Sequence, residues 1–272
     1  MSTINPSSAG YVPIFDQAKL DSLITAFVAS FAAEQATALE KIKSKTHDPI
    51  IAALDFRAIG SGFDWQQAVV SQAVRKNREG RIGVLHQDLI ALMPGWKKLP
   101  QANADPDLVN SRRKIIVELK SRSNTVKAST QYTVYDDLLA SCNGAYRGYT
   151  GYYAYILNEK PRAKTQPEAF APTNNQTGQK RPIDSRIWQV DGKILWAIIC
   201  DTKTSPNPPY SRPDSLEDVY KEVISSILRV GGKTADPAIV TTLEQLTKSN
   251  FSRSSPVTTK KAASRRPQTR TP

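Results

Sequence analysis

The chain has 272 residues, which is enough to bury a sizeable core in one large domain or two small ones, so a globular fold is expected. Its 37 Lys and Arg residues outnumber 25 Asp and Glu, and the formal net charge of +12 favours polyanionic partners, above all nucleic acid. The two cysteines, Cys142 and Cys200, form no C-x-x-C pair, so neither a zinc site nor a disulfide framework is indicated. No apolar run approaches the roughly 18 residues that span a membrane, and the N-terminus does not resemble a signal peptide, so we expect a soluble protein without a membrane partner.

Two helical stretches are predicted in the N-terminal third. Residues 16–43 carry apolar side chains at the spacing of one helical face, with Asp16 available as N-cap. A second stretch over residues 64–93 is predicted to break near Gly80 and to end at the proline and glycine of "MPGW", residues 93–96.

A β-hairpin is predicted next. Short β-branched runs, "DLV" at 107–109 and "KIIVELK" at 114–120, are joined by the turn-like "NSRR". Alternation along the second run separates two faces: Ile115, Val117 and Leu119 on one, and Ile116, Glu118 and Lys120 on the other.

The elements predicted after the hairpin are two strands and two helices. Residues 129–142 are expected to be helical, and "GYYAYILN" at 151–158 and "KILWAIIC" at 193–200 are expected to be strands, the latter buried on both faces. Residues 159–187 are polar and are interpreted as a long loop, and Asp214 is the expected N-cap of a further helix.

The positive charge is unevenly distributed. From Ser252 onward the chain has six Lys or Arg and no acid, so residues 251–272 are interpreted as a disordered basic tail. Because that tail supplies half of the net charge of +12, a local basic cluster at 112–127 is the more informative signal.

In and just before that cluster are residues suited to phosphodiester hydrolysis. Asp107 and Glu118, on adjacent hairpin strands, can bind Mg²⁺ through hard carboxylate oxygens, with the Leu119 carbonyl as a third ligand. Lys120 lies on the same strand face as Glu118 and is expected to assist the attacking water and stabilise the charged transition state. This is the Asp, then Glu-x-Lys arrangement of the PD-(D/E)XK nucleases.

The tripeptide pattern alone leaves alternatives open. Acid-x-Lys also occurs at "DGK", residues 191–193, and at "DTK", residues 201–203, where Asp201 and Lys203 follow a strongly apolar run with Asp191 upstream. Glu118 and Lys120 are otherwise explained as cross-strand surface charges. The alternatives are a non-catalytic DNA-binding protein, or a nuclease of the same fold with another target or a repair role.

The text around the motif adds a family resemblance. In order, the chain contains "HQDLIALMPGW" at 86–96, "ELKSRSNTVK" at 118–127, "VYDDLL" at 134–139, "YRGYTGYYAYI" at 146–156 and "TGQKRPIDSRI" at 177–187. Together, over about residues 47–230, they resemble the type II restriction endonucleases that cut at GGNCC, a branch of the PD-(D/E)XK superfamily. One departure is Ser121 followed by Arg122, where the family has Asn after the catalytic lysine.

The resemblance implies a catalytic set of Asp107, Glu118 and Lys120 with Mg²⁺ as cofactor, acting on double-stranded DNA. It implies a homodimer that leaves 5′-phosphates and 3′-hydroxyls, a cognate DNA methyltransferase as genetic partner, and a place in the cytoplasm of a prokaryote. His86 and Gln87 match the family's "HQ" pair, where they are expected to support the metal site.

The expected DNA contacts come from two segments. Asn124, Thr125 and Lys127 match the family's "NT-x-K" and, with Arg122, suit phosphate oxygens. The loop "QTGQKRPIDSR" is expected to read bases, because Lys and Arg recognise guanine acceptors, through Lys180, Arg181 and Arg186. The tyrosines of residues 146–155 are interpreted as core packing rather than base stacking.

The expected architecture is an α/β restriction-endonuclease-like fold with a central mixed sheet flanked by helices. Residues 1–250 form a single nuclease domain, with an N-terminal helical region over about 1–95 and a catalytic core over about 96–230. The expected activity is that of a Mg²⁺-dependent, site-specific endodeoxyribonuclease.

Overall fold

The computed structural model describes residues 12–43, 80–100, 105–122, 128–157, 166–174, 177–201, 211–212, 215–230, 241–243 and 245–247. The helices are α1 (Gln17–Lys43), α2 (whose described part is residues 80–91), α3 (Ala128–Asn143), α4 (Gly192–Cys200) and α5 (Ser215–Val230). The strands are β1 (Trp96–Lys98), β2 (Leu108–Asn110), β3 (Ile115–Arg122), β4 (Thr150–Leu157), β5 (Glu168–Ala169) and β6 (Ile187–Asp191). Residues 241–243 and 245–247 are also helical.

The strands form one mixed sheet in the order β1-β2-β3-β4-β6-β5. The β2–β3 hairpin is antiparallel, whereas β3, β4 and β6 run parallel to one another. Helix α3 connects β3 to β4, as expected for a parallel crossover. The predicted mixed sheet flanked by helices is confirmed.

Two hydrophobic clusters cover the two faces of this sheet. On one face, Ile115, Val117 and Leu119 pack with residues from α1, α2, α4 and α5. On the other face, Ile116 packs with residues of α3, such as Val134 and Leu138. The face alternation predicted for β3 is therefore confirmed, and Glu118 and Lys120 belong to the α3 side of the sheet.

The N-terminal helix begins as predicted. The backbone N–H of Lys19 donates to Asp16 Oδ1 at 3.1 Å, which is an N-cap contact. Leu20 and Ile24 are fully buried in the same core cluster as the central strands. Three parts of the predicted helices lie outside the described residues: the side chains of residues 31–43, including Phe31; the part of the second predicted helix before Gly80; and the predicted N-cap Asp214.

The prediction of a strand at 193–200 was wrong, because this segment is the helix α4. Asp191 ends β6 and caps the helix, its Oδ1 accepting a hydrogen bond from the Ile194 N–H at 3.0 Å. The helix is apolar all round because nearly all of it is buried, Trp196 completely so. Such a segment has no polar face, and its periodicity cannot distinguish a helix from a buried strand.

The polar segment predicted as a loop contains some regular structure. Glu168–Ala169 forms the short edge strand β5, and Thr173 pairs with Lys180 in an isolated antiparallel bridge. The segment ends at residue 186, since Ile187 begins β6. Among the described residues, no helix is long and apolar enough to cross a membrane.

Candidate active site

The β2–β3 hairpin brings Asp107 and Glu118 together. The register pairs Leu108 with Val117 in antiparallel sense, so the next step along both chains sets Asp107 beside Glu118. Asp107 is anchored there because its Oδ2 accepts a hydrogen bond from the Leu119 backbone N–H at 2.7 Å. The two carboxylates thus lie at one end of the hairpin, and Glu118 is on the side of the sheet that α3 covers.

The environment of Asp107 is partly dry and surrounded by donors and cations. Burial raises the pKa of the Asp107 carboxyl above its usual value, and this effect outweighs the stabilisation of the anion by the Leu119 N–H, by Lys120 and Lys98, and by a hydrogen bond from Gln87. A carboxylate in this state gains from an added positive charge.

The carboxyl group of Glu118 is also partly buried and also has a raised pKa. Burial, followed by repulsion from Asp107, raises the pKa of the Glu118 carboxyl, and the carboxylate of Asp137 acts in the same direction. Lys120 opposes these effects, its Nζ donating to Glu118 Oε1 at 2.5 Å. The cation is only partly exposed, at 30% of its side chain, so its charge acts on the carboxylate pair with little screening.

A small cavity opens beside Glu118. It has a volume of about 130 Å³ and is lined by Asp105, Pro106, Glu118, Asp137 and Ser141, among others. The carboxyl groups facing it carry the negative charge that a cation would need, and the volume is enough for a hydrated ion or one phosphate group.

The residues present fit a divalent metal such as Mg²⁺. Carboxylates are the hard oxygen ligands that Mg²⁺ prefers, and a pair with raised pKa values is relieved by a cation between them. The N–H and C=O of a strand residue point to the same side, so the Leu119 carbonyl faces the Asp107 edge as its N–H does. Among the described residues, no group of three or more His, Cys, Asp or Glu is arranged to hold a metal ion.

The two residues of the "HQ" pair lie at different distances from this site. Gln87 is buried on α2 and hydrogen-bonds the Asp107 carboxylate, so it contacts the carboxylate pair directly. His86 packs against the ring of Tyr220 at a centroid distance of 6.0 Å, facing α5. Burial lowers the pKa of His86 to about 4, so its imidazole is neutral at physiological pH.

Comparison with known proteins identifies the family. Residues 12–221 match the family model described as Eco47II restriction endonuclease. The chain belongs to the Eco47II restriction endonuclease family. It is also similar to a type II restriction enzyme, Eco47II of Escherichia coli, with 24% identity over 187 residues that cover 68% of this chain and 73% of that enzyme.

Membership in the Eco47II family decides between the alternatives that the sequence left open. The protein is a type II site-specific endonuclease, rather than a non-catalytic DNA-binding protein or a repair nuclease. The matched region starts at residue 12 and includes α1, so it extends further toward the N-terminus than the motifs at 47–230 suggested.

The competing acid-x-Lys motif lies on the opposite face of the sheet from Glu118. Asp191 is engaged as the N-cap of α4, and Asp201 follows that helix, which packs into the α1, α2 and α5 side of the core. Near Asp201, the Arg113 guanidinium donates to the Ile198 carbonyl at 2.5 Å at the end of α4. Arg113 therefore stabilises a helix end inside the fold and is unavailable to follow a phosphate backbone. Lys203 lies outside the described residues.

The residues predicted to contact DNA differ in exposure and in their partners within this endonuclease. Arg122 is exposed at the end of β3, whereas Asn124, Thr125 and Lys127 lie outside the described residues. Lys180 is exposed. Arg181 pairs with Asp136, and Arg186 pairs with Asp184, so both guanidinium groups are engaged within the protein.

The tyrosines of β4 pack in the core, as predicted. Tyr152, Tyr153 and Tyr155 are each at most 3% exposed, and the Tyr153 ring stacks on Phe170 at 4.7 Å. Burial raises the pKa of the Tyr153 hydroxyl to about 12, and the neighbouring Tyr155 and Glu118 act in the same direction.

One residue of the site was missed by sequence reasoning. Asp137 lines the cavity and raises the pKa of Glu118, whereas its motif "VYDDLL" indicated only the family resemblance. A signal was available, since Asp137 falls between Val134, Leu138 and Ser141 on the helical face that packs toward the sheet, where an acid is unusual.

Proposed function

We propose that this endonuclease hydrolyses double-stranded DNA with Mg²⁺ held by Asp107, Glu118 and the Leu119 carbonyl. The observation that carries the proposal is the pair of partly buried carboxylates on adjacent hairpin strands, one of them bonded to Lys120. Gln87 supports the pair by holding Asp107, and His86 supports it indirectly by packing α2 against α5.

The chemistry divides between these residues. Bound Mg²⁺ would supply positive charge to the scissile phosphate and lower the pKa of an attacking water. Lys120 projects from the same strand face as Glu118, where its ammonium group stabilises the negative charge that builds up on the phosphate oxygens. The water oxygen bonds to phosphorus, the P–O3′ bond breaks, and the leaving O3′ takes up a proton, giving a 5′-phosphate and a 3′-hydroxyl.

The target and assembly follow from the family resemblance in the motifs. We propose GGNCC as the recognised sequence, a homodimer that cuts both strands of this nearly palindromic site, and a cognate methyltransferase that protects the host DNA in the prokaryotic cytoplasm. Arg122, Asn124, Thr125 and Lys127 are proposed to contact the DNA backbone. The shared core of α1, α2 and the sheet supports one nuclease domain over residues 1–250, with residues 251–272 as a basic tail.

The proposal is tested by cleavage of a long DNA of known sequence. Wild-type protein with Mg²⁺ should give discrete fragments whose ends map to GGNCC, and chelation of the metal should abolish them. Glu118→Gln should reduce the cleavage rate by roughly 1000-fold or more, because a catalytic metal contributes several kcal/mol to the transition state.

Glu217→Gln is the matched control, since Glu217 pairs with Lys221 on the surface of α5 and should leave cleavage unchanged. Calorimetric titration with Mg²⁺ gives a second readout, in which the Glu118→Gln variant should bind the ion more weakly. Cleavage by Glu118→Gln at the wild-type rate, or cleavage that persists in chelator, would contradict the proposed metal site.

A further inference from the structure

The polar segment between β5 and β6 contains a compact two-stranded ribbon. We define the polar ribbon as residues 172–174 and 177–181. Its two arms are joined by backbone hydrogen bonds from Asn174 to the Gln179 carbonyl at 2.8 Å and from Arg181 to the Pro172 carbonyl at 3.0 Å. Gly178 adopts a φ of +69°, which a turn of this kind requires and a glycine tolerates at little cost. The ribbon is thus an ordered structure with its turn residues, 177–180, exposed.

The polar ribbon is fastened to α3 by Arg181. Its guanidinium forms an ion pair with Asp136 and lies 3.7 Å from the centre of the Tyr132 ring, a cation–π contact. Immediately after the ribbon, the Tyr135 hydroxyl donates to the Pro182 carbonyl at 2.7 Å. These contacts all join the ribbon to consecutive turns of one helix.

Arg186 attaches the other end of the same segment. Its guanidinium is held by both carboxylate oxygens of Asp184, at 2.9 and 2.8 Å, and donates to Asn143 Oδ1 at 2.9 Å near the end of α3. With these donors engaged and the Arg181 ion pair formed, the exposed turn presents Gln179 and Lys180 as its long polar side chains.

The polar ribbon and Glu118 lie on the same side of the sheet. Asp136 binds the ribbon, and its neighbour Asp137 lines the cavity at Glu118. The cluster on this side joins Tyr135 of α3 to Phe170, which lies just before the ribbon and stacks on Tyr153. The ribbon and the cavity at Glu118 are therefore both built on α3, which fixes the position of one relative to the other.

We propose that Gln179 and Lys180 read base edges in the major groove and that Arg181 and Arg186 are positioning residues that hold the polar ribbon on α3. The major groove admits a two-stranded ribbon, Lys donates to guanine O6 and N7, and an amide offers both a donor and an acceptor to a base edge. This differs from base reading by the two arginines, whose guanidinium groups are engaged within the protein. It rests on the proposed function for the location of the scissile phosphate at Glu118.

The test measures sequence discrimination. The site cut by the wild-type protein is first determined from fragment ends, and cleavage of a duplex carrying it is compared with duplexes that differ by one base pair. Gln179→Ala and Lys180→Ala should each lower the ratio of correct to altered cleavage by roughly 5- to 150-fold, the value of one good base contact, at particular positions of the site. Gln17→Ala and Lys19→Ala, exposed on α1, are the matched controls and should keep the wild-type ratio.

The positioning role of Arg181 is tested by a double-mutant cycle. Arg181→Ala, Asp136→Ala and the double variant should lose discrimination to a similar extent, because each removes the same ion pair. A merely structural role would lower thermal stability and leave the ratio intact in the folded fraction, which would overturn the positioning proposal.

The remaining outcomes separate this inference from the proposed metal site. An unchanged ratio for Gln179→Ala and Lys180→Ala in an active enzyme overturns base reading by the ribbon and leaves Glu118 untouched. A loss of cleavage that is uniform across sequences, with a weaker salt dependence, makes Lys180 a phosphate contact and also overturns it. Failure of the metal site instead shows as cleavage by Glu118→Gln, whatever the ratio.

Discussion

At the scale of single residues, the site is governed by burial. Asp107, Glu118 and His86 all have pKa values moved toward the neutral form, because desolvation is the largest influence on each. The two carboxylates lie beside Lys120 and near each other, so a bound cation would favour their charged form. His86 is fully desolvated against the ring of Tyr220 and stays neutral.

The buried histidine makes stability depend on pH. The His86 pKa is about 4 in the folded protein against 6.5 when unfolded, so between these values the unfolded chain binds a proton that the folded protein does not. Stability therefore falls as the pH drops from 6.5 toward 4, with a total contribution of about 3 kcal/mol, and is unaffected above that window.

Urea unfolding at several pH values checks this prediction in the wild type and in His86→Asn, whose side chain does not titrate. The difference in unfolding free energy between the two proteins should change between pH 6.5 and 4. A difference that stays constant over that range would mean that His86 titrates normally in the folded state.

At the scale of the elements, the β6–α4 junction explains why the strand prediction at 193–200 was wrong. The cap at Asp191 was not recognised because a strand was assigned to the apolar run after it. At the next residue, Gly192, a Cβ atom would lie 2.3 Å from the Ile156 carbonyl oxygen of β4, so only glycine allows the chain to turn into the helix this close to the sheet.

The cap gives a prediction with an internal control. Asp191→Ala removes the acceptor for the Ile194 N–H and should lower the unfolding free energy by about 1–2 kcal/mol, since the site is buried. Asp191→Asn keeps an oxygen in the same place and should lose much less. Chemical denaturation of both variants measures this, and equal losses would indicate that the charge, and not the cap, stabilises α4.

At the scale of the whole molecule, the N-terminal segment is part of the nuclease fold. Glu222 on α5 is buried and accepts hydrogen bonds from the backbone N–H groups of Ile14 at 2.7 Å and Phe15 at 3.1 Å. On the same helix, Arg229 and Ser226 hold Asp21 of α1. The start of the matched region is thus joined to α5, the helix in which that region ends, through polar contacts as well as the shared core.

Removal of the Glu222 acceptor should loosen this junction. Glu222→Ala leaves two backbone donors without their partner and should lower the unfolding free energy by roughly 2–4 kcal/mol. Cleavage by a protease near residue 14 should accelerate in parallel. Glu222→Gln, which retains one acceptor oxygen, should lie between the two, and wild-type stability in Glu222→Ala would show that the segment is held by apolar packing alone.

The local sequence pattern was enough to predict much of the secondary structure of this protein. The hairpin, the two faces of β3, the helices α1 and α3 and the strand β4 were predicted because alternation, helical spacing and turn residues are properties of neighbouring residues. The proposed set of Asp107, Glu118 and Lys120 came from the same hairpin register. The secondary structure of "KILWAIIC" was not predictable in this way, because burial on all sides removes the alternation of polar and apolar residues that distinguishes a helix from a strand.

The sequence by itself determined the hairpin that sets Asp107 beside Glu118, with Lys120 on the same strand as Glu118, since a hairpin depends on only a few neighbouring residues. Only the tertiary structure decided which basic residues pair within the protein. Arg113, Arg181 and Arg186 are engaged within the protein, whereas Lys180 is exposed on the polar ribbon. The reason is physical: the partners of the three arginines include α4 and α3, which are distant in sequence, and these contacts exist only once the chain has folded.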